Sequence, residues 1–493
     1  MTLIKERAMK KKCEMNRACE MGAAFLALTI VFSAAACGAQ QTAAEPEEQS
    51  EVSATEIPST AKTQVHVAAD GSDAAGDGTE DAPYATVNRA AETAPGSLII
   101  VHGGEYRPVR LGADCSGSEA SPTVIRAAEG EKAVVHAGNG TGISLVNVSH
   151  ISVEGLETVG GTHGIEYRST REAGDRPLAD ISIRNCRVHG VRGVHGIFVY
   201  ACNDLAPVSD LAIEGCEVYD CECGSSESLV LNGNIDGFLI AGNAVHDNNN
   251  IGIDIIGFEG LAKHPDPADG KNPYEADQPR NGICRDNVVY NISAEGNPAY
   301  CEDGEYDLCA DGIYVDGGRD IEICRNFIFN CDIGLEVATE HSPEENELFL
   351  VSGVRVHDNV IADCTGWTGI CFGGYDKDLG FTEGCEFDHN TLADNIVQIG
   401  VQWSRGNRVY ANLVIGGETG VEFNEECPEE DMVNEISGNI MAEVEDEESW
   451  DEAYGQVYAD RAEVADGFCS LIGDCGSRFV PDEDMMELYE KES

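Results

Sequence analysis

The sequence is poor in positive charge: 31 Lys and Arg stand against 89 Asp and Glu, a formal net charge of −58. A surface this acidic repels nucleic acid and anionic lipid, so a nucleic-acid partner is excluded. It also repels a polyanionic ligand unless a cation or a local basic patch intervenes. Apolar stretches long enough to cross a membrane are lacking too. The apolar run Gly22–Ala36 is too short to span a bilayer comfortably. Helix-favouring runs are scarce while glycine is frequent, at 55 residues, which points to many turns and short strands. The 20 cysteines lack a framework. Those beyond Cys37 number 17, their spacing is irregular, and no CxxC pair of zinc-site spacing occurs twice. Packed thiols are expected, with Cys469 and Cys475 as one candidate bridge.

What is present begins with an address. Lys10, Lys11, Lys12 and Arg17 precede the apolar run, which ends Ser33-Ala34-Ala35-Ala36-Cys37. Small residues before a cysteine resemble a bacterial lipoprotein signal, although Ala34 stands where leucine is usual. The resemblance implies cleavage of residues 1–36, lipidation of Cys37, export and anchoring to the membrane at the cell surface. Residues 37–62, rich in Ala, Glu, Thr, Ser and Gln, cannot bury a core and read as a disordered tether.

Order is expected from Val65. Residues 63–141 read as a cap with a short strand at Val65–Val67, a helix over Ala85–Thr93, a strand at Leu98–Val101 and first coils. From Gly142 to Met441 two patterns recur. One is Gly-apolar-X-apolar, as in Gly164–Tyr167, Gly196–Val199, Gly252–Ile255, Gly312–Val315, Gly334–Val337, Gly369–Phe372, Gly400–Trp403 and Gly420–Phe423. Its alternation is a strand with one buried face. The other is Asn-X-apolar-X-Asp/Asn, begun by Asn243, Asn287, Asn326, Asn359 and Asn390, with Asn412 and Asn439 keeping the first position. Repeated amides at one corner can hydrogen-bond to their own copies, and Asn and Asp tolerate the left-handed backbone of such corners. Cys186 and Cys216 replace Asn in early copies, and Cys221, Cys331 and Cys364 share another column. Neither a leucine ladder nor aromatic blade punctuation is present. The repeat predicts an all-β chain, a right-handed parallel β-helix over 142–441 with a small N-terminal cap. The acidic residues 442–493 lose both patterns and are expected to form a partial cap followed by weakly ordered chain.

The X residue of each strand points away from the core, so its column lists the outer face coil by coil. Three consecutive units present Asp254, then Tyr314 with Asp316, then Glu336, with Asp311, Glu340 and His341 at the strand edges. Carboxylates one coil apart sit roughly 5 Å from each other. Like charges that close share protons or hold a cation such as Ca²⁺; the alternative is a solvated acidic strand. Flanking units carry Phe198, Cys371 and Gln402 instead, which concentrates the acids in the middle. Long insertions also fall there, at Phe258–Arg280, Gly296–Ala310, Glu340–Leu350 and Gly373–Gly384, and loops on a rigid solenoid mark a working face. Tyr314, Tyr375 and Trp403, with Trp367, are candidate platforms for sugar rings.

The segment from Asp70-Gly71-Ser72-Asp73 through Pro83-Tyr84-Ala85-Thr86-Val87 to Gly103-Gly104-Glu105-Tyr106 resembles the N-terminal cap region of family-nine pectate lyases. The coils resemble the broad right-handed β-helix repeat superfamily. In those lyases aspartates on adjacent coils bind Ca²⁺ and a lysine abstracts a proton beside a uronate carboxylate. The resemblance matches Asp311-Gly312 to their strand motif, while Tyr314 stands where they place a second aspartate. No lysine sits in the strand column, and Lys263 is the nearest loop candidate, with Lys271 and Lys377 behind it.

The leading reading is a pectate-lyase-like polysaccharide lyase acting by cation-assisted β-elimination on a uronate-containing glycan, and two alternatives use the same groove. A lyase would use Asp254, Asp311, Asp316 and Glu336 for Ca²⁺ and substrate carboxylate, with Lys263 or His341 as base. A glycoside hydrolase of the inverting kind would use the same carboxylates as an acid and a base roughly 6.5–9.5 Å apart. A surface glycan-binding or adhesive solenoid would use the groove without chemistry. In each, the partner is a polysaccharide and the protein is expected to act as a monomer.

Overall fold

A computed structural model describes residues 63–267, 270–376, 379–428, 432–458, 461 and 475–492. The signal, Cys37, the tether, Asp269, Lys377 and Cys469 lie outside the described residues.

From Gln64 onward the chain winds as a right-handed parallel β-helix. Each coil gives short strands to three sheets, of 16, 11 and 13 strands. Leu178–Arg184, Val208–Glu214 and Ile235–Ala241 pair in parallel, one coil upon the next. Right-handed strand twist dictates the hand of a coil that returns to the same sheet. The Gly-apolar-X-apolar segments build the 11-stranded sheet. Their apolar positions, such as Ile253, Ile255, Ile313, Val315, Leu335 and Val337, are buried to completion. Gly312 and Gly334 are required at the second position of their strands, Asp311–Asp316 and Ile333–Ala338. A Cβ on either would lie within 2.7 Å of a carbonyl oxygen in the next coil or an isoleucine of its own.

The asparagine column forms a ladder at the corner before the 13-stranded sheet. Nδ2 of Asn243, Asn287, Asn326, Asn359, Asn390 and Asn412 each donates to Oδ1 of the next member at 2.9–3.0 Å, ending on Asn439. The same Oδ1 atoms also accept backbone N–H groups, and Cys216 enters the ladder by donating its N–H to Asn243. Ladder and left-handed backbone are separate duties. The ladder asparagines do not have positive φ; the residue before each does, including Asp286, Arg325, Asp358, His389 and Ala411. A second left-handed column falls at the fifth position of the motif, at Asp247, Asn291, Asn330, Asp363 and Asp394. The cysteine column is broken rather than continuous. Asn248 and Ile292 stand between Cys221 and Cys331, while Cys331 and Cys364 are adjacent and hydrogen-bonded.

The first coils are capped, and a C-terminal helix lies on the flank of the middle coils. Helix α1 (Val87–Thr93), N-capped by Thr86, buries Val87, Ala90 and Ala91 over the first coils. The C-terminal segment, expected to be weakly ordered, instead contains helix α2 (Glu483–Glu492). A stack of rings on the 13-stranded sheet, Tyr219, His246, Tyr290 and Phe329, with centroids 4.7–5.2 Å apart, ends against Tyr489 of α2. The apolar face of α2 has a partner that its own sequence does not reveal.

Candidate active site

On the outer face of the 11-stranded sheet three columns run from coil to coil. The central one reads Glu166, Phe198, Val230, Asp254, Tyr314, Glu336, Cys371, Gly400, Glu422. Two residues further along each strand stand Arg168, Tyr200, Asn232, Ile256 and Asp316. At the strand entrance stand His163 and His195, with Asp311 at the same position higher up. The sequence pattern places Asp254, Tyr314 and Glu336 on consecutive coils, and so they are. It misses the coil of Leu229–Gly233, which begins with Ser228 instead of glycine and therefore hides Glu227, the residue before it. It also misplaces Gln402: Gly400, not Gln402, occupies the central column, where a Cβ would stand 3.1 Å from Cys371 and 3.2 Å from Trp367.

The acidic face is not a solvated strand. Asp254, Asp311 and Asp316 are 2%, 2% and 5% exposed, since the four insertions rise on both sides of the sheet and roof it. The loop after Ile256 and the loop after Ala338 are stitched together. Asn272 and Asn346 exchange two amide hydrogen bonds of 2.6 and 3.0 Å, and Phe349 packs on Phe258, Tyr274 and His341. Gly380 donates its N–H to the His341 carbonyl at 3.2 Å, and Gly374 pairs with Trp403. Tyr300 closes the other side, accepting from Asn250 at 3.2 Å.

Burial without counter-charge governs the electrostatics. Among the described residues no Arg or Lys forms an ion pair with Glu227, Asp254, Asp311, Asp316 or Glu336. Desolvation therefore pushes Glu227 and Glu336 up to about 8 and Asp316 to about 7, with neighbouring carboxylates adding to the effect. Asp254 and Asp311 are held well above the usual carboxylate range, again by burial first. Asp311 and Glu336 hydrogen-bond to each other, which requires a proton on one of them. Glu336 is also bonded to Cys371. Both Glu336 and Asp316 have hydrogen bonds that support the charged form, and in Asp316 one comes from the backbone: it accepts the Glu340 N–H at 3.1 Å and a bond from Thr339. Burial raises the Tyr314 hydroxyl as well.

The other expected site residues are arranged around this cluster. His341 is raised chiefly by Glu259, whose Oε1 lies 3.5 Å from Nε2. Lys263 donates to the Tyr274 hydroxyl at 2.8 Å, so the lysine is occupied within its own loop. Tyr375 is 52% exposed at the rim, and Trp403 is half-buried with its Nε1 unpartnered. His195, whose nitrogens contact the Glu227 carbonyl at 3.0 Å and the Tyr200 hydroxyl at 2.7 Å, links the cluster to the aromatic coils below it.

Asp254, Asp311, Asp316 and Glu336 are the hard oxygen donors that Ca²⁺ takes, and Asp254 and Asp311 each keep one buried oxygen without a partner. Three of these donors do not converge. Among the described residues the set of His, Cys and carboxylate donor atoms lying within 4.8 Å of one another is Glu322, Cys324 and His357, on a different sheet. A cation in the groove would be held by pairs of the carboxylates together with substrate oxygens.

No family model matches the chain. Among solved structures it is similar to pectate lyase Pel9A, at 15% identity over 68% of this chain and 76% of that one, with a TM-score of 0.44. It is also similar to the GH136 lacto-N-biosidase of Eubacterium ramulus, at 15% identity over 70% and 64% of the two chains, TM-score 0.48. For the alginate lyase of Paenibacillus sp. str. FPU-7 the figures are 15%, 66%, 92% and 0.38. A nearer relative is the Bacillus subtilis (strain 168) protein YwoF, described as uncharacterized. It is 32% identical over 410 residues, 78% of this chain and 81% of that protein. The chain belongs to the family of YwoF.

Proposed function

We propose that this protein is an exported, lipid-anchored, carbohydrate-active enzyme that hydrolyses a glycosidic bond with Glu336 as general acid and Asp316 as general base. The observation that carries this reading is a roofed cluster of carboxyl groups with no Arg or Lys partner among the described residues, whose burial and mutual proximity favour a shared proton at neutral pH. Glu336, raised to about 8 by desolvation even though it accepts hydrogen bonds from Asp311 and Cys371, is suited to protonate a leaving oxygen. Asp316, raised to about 7 with its anion hydrogen-bonded by the Glu340 N–H, is suited to accept a proton from water. The two lie one coil and two residues apart, about 8 Å at the backbone from strand and residue spacings, a placement compatible with the carboxyl separation of roughly 6.5–9.5 Å used by inverting enzymes. Tyr314 lies between them in register, and Tyr375 at the rim offers a ring face to a sugar. An acidic mouth favours a neutral or amino-bearing glycan over a uronate. The test is reducing-end release from a panel of such glycans, with no unsaturated product, insensitive to chelator and lost in Glu336→Gln.

The unpartnered buried oxygens of Asp254 and Asp311 favour a second reading, a lyase acting on a uronate glycan. There Ca²⁺ would supply neutralisation of the substrate carboxylate, a pair among Asp254, Asp311, Asp316 and Glu336 would hold it, and Lys263 or His341 would serve as base. Absorbance from unsaturated products, abolished by chelator, distinguishes this chemistry from hydrolysis.

A further inference from the structure

Away from the groove, the outer face of the 16-stranded sheet brings together a thiol, an imidazole and a carboxylate. Cys324 pairs in register with His357 on the next coil, and Glu322 lies two residues before Cys324 on the same face. One donor atom from each lies within 4.8 Å of the others. Cys324 and His357 are buried, whereas the Glu322 side chain is 42% exposed. Two ligands are thus fixed in the wall and the third borders solvent. His357 Nδ1 faces Asp358 Oδ2 at 2.7 Å, and Nε2 faces Glu322 Oε1 at 2.7 Å. A carboxylate on Nδ1 keeps a proton there and aims the Nε2 lone pair at the other donors, the arrangement that orients metal-binding histidines.

We propose that Glu322, Cys324 and His357 form a zinc site, with water from the exposed side as the fourth ligand. Thiolate and imidazole donors select Zn²⁺ over Ca²⁺ or Mg²⁺. On binding, the Cys324 thiol proton and the proton between His357 Nε2 and Glu322 leave to solvent, and three protein–metal bonds replace them. Arg325, 3.6 Å from the Cys324 sulfur, is already neutralised by Asp286 at 2.8 Å. The site is also tied to the C-terminal segment. Asp358 accepts the Arg478 N–H and Nε at 2.9 and 2.7 Å, and its carbonyl accepts the Ser477 hydroxyl at 2.8 Å. A metal that fixes His357 therefore fixes Asp358 and, through it, the docking point of the segment that leads to α2.

The test uses the reduced full-length protein with Co²⁺ as probe, in excess Mg²⁺ to occupy exposed carboxylates. One equivalent is expected to give intense visible bands of a tetrahedral ion and a thiolate charge-transfer band, both erased by Zn²⁺. Cys324→Ser is expected to lose the charge-transfer band, and Asp358→Asn to weaken binding about 10- to 100-fold. Absence of the band in the unmutated protein, or its persistence in Cys324→Ser, overturns the site. Zn²⁺ is also expected to slow proteolytic removal of the C-terminal segment in the unmutated protein and not in Cys324→Ser. Equal rates with and without Zn²⁺ overturn the coupling to α2.

Discussion

Replacing Glu336 by Gln separates stability from function. In the folded protein Glu336 is raised to about 8 from an ordinary 4.5, because the roof leaves it only partly exposed and no cation offsets the water lost. The native state therefore binds a proton that the unfolded chain has released between those values. A raised group contributes its stability below its unfolded value and loses it as pH rises through the folded one. Each pH unit in that window costs about 1.4 kcal/mol, so ionising Glu336 alone costs on the order of 4 to 5 kcal/mol by pH 9. Gln has nearly the same shape, keeps an amide oxygen to accept from Asp311 and never ionises. Urea unfolding at pH 5 and pH 9, in chelator, is the assay. The unmutated protein is expected to lose several kcal/mol across this interval and Glu336→Gln distinctly less, so that the variant is the more stable protein at pH 9 while hydrolysis is lost. A variant that is equally or less stable at pH 9, or a difference that does not grow with pH, refutes the account of a desolvated, proton-holding carboxyl.

Further outcomes follow from the same geometry. Asp316→Asn is expected to lower kcat about 10²- to 10⁴-fold with little change in KM, measured on the best glycan substrate. With an acid at about 8 and a base at about 7, kcat/KM is expected to be bell-shaped with a narrow optimum between those values. Asn359→Ala removes the ladder partner of Asn326 and Asn390 and strands buried backbone groups. A loss of about 2–3 kcal/mol is expected by chemical denaturation. Ala411 holds a left-handed backbone (φ 55°) that glycine adopts freely, so Ala411→Gly is expected to stabilise by roughly 0.5–1 kcal/mol.

The parts of this molecule legible in its sequence are those written by periodicity. Gly-apolar-X-apolar and the asparagine repeats specify strands, corners and stacking, because each coil repeats the same demands. The acidic column was legible for the same reason: once the X position points outward, Asp254 and Glu336 must share a face. Departures from the period were hidden. Ser228 in place of glycine concealed the coil that delivers Glu227, and the Gly400–Trp403 copy of the pattern lies two residues out of register with the others. Burial was hidden as well, since the roof is made by loops whose contacts, such as Asn272 with Asn346, are separated by many residues and follow no repeat. The docking of α2 against Phe329 rests on a ring stack assembled from several coils, a surface that exists only after folding.

The most direct measurement is product analysis on neutral and amino-bearing oligosaccharides, comparing the unmutated protein with Glu336→Gln. Hydrolysis by the acidic cluster predicts new reducing ends, inverted at the anomeric carbon, without unsaturated products and absent in the variant. Unsaturated products from a uronate glycan, lost on adding chelator, or binding without cleavage that Glu336→Gln leaves intact, would contradict it.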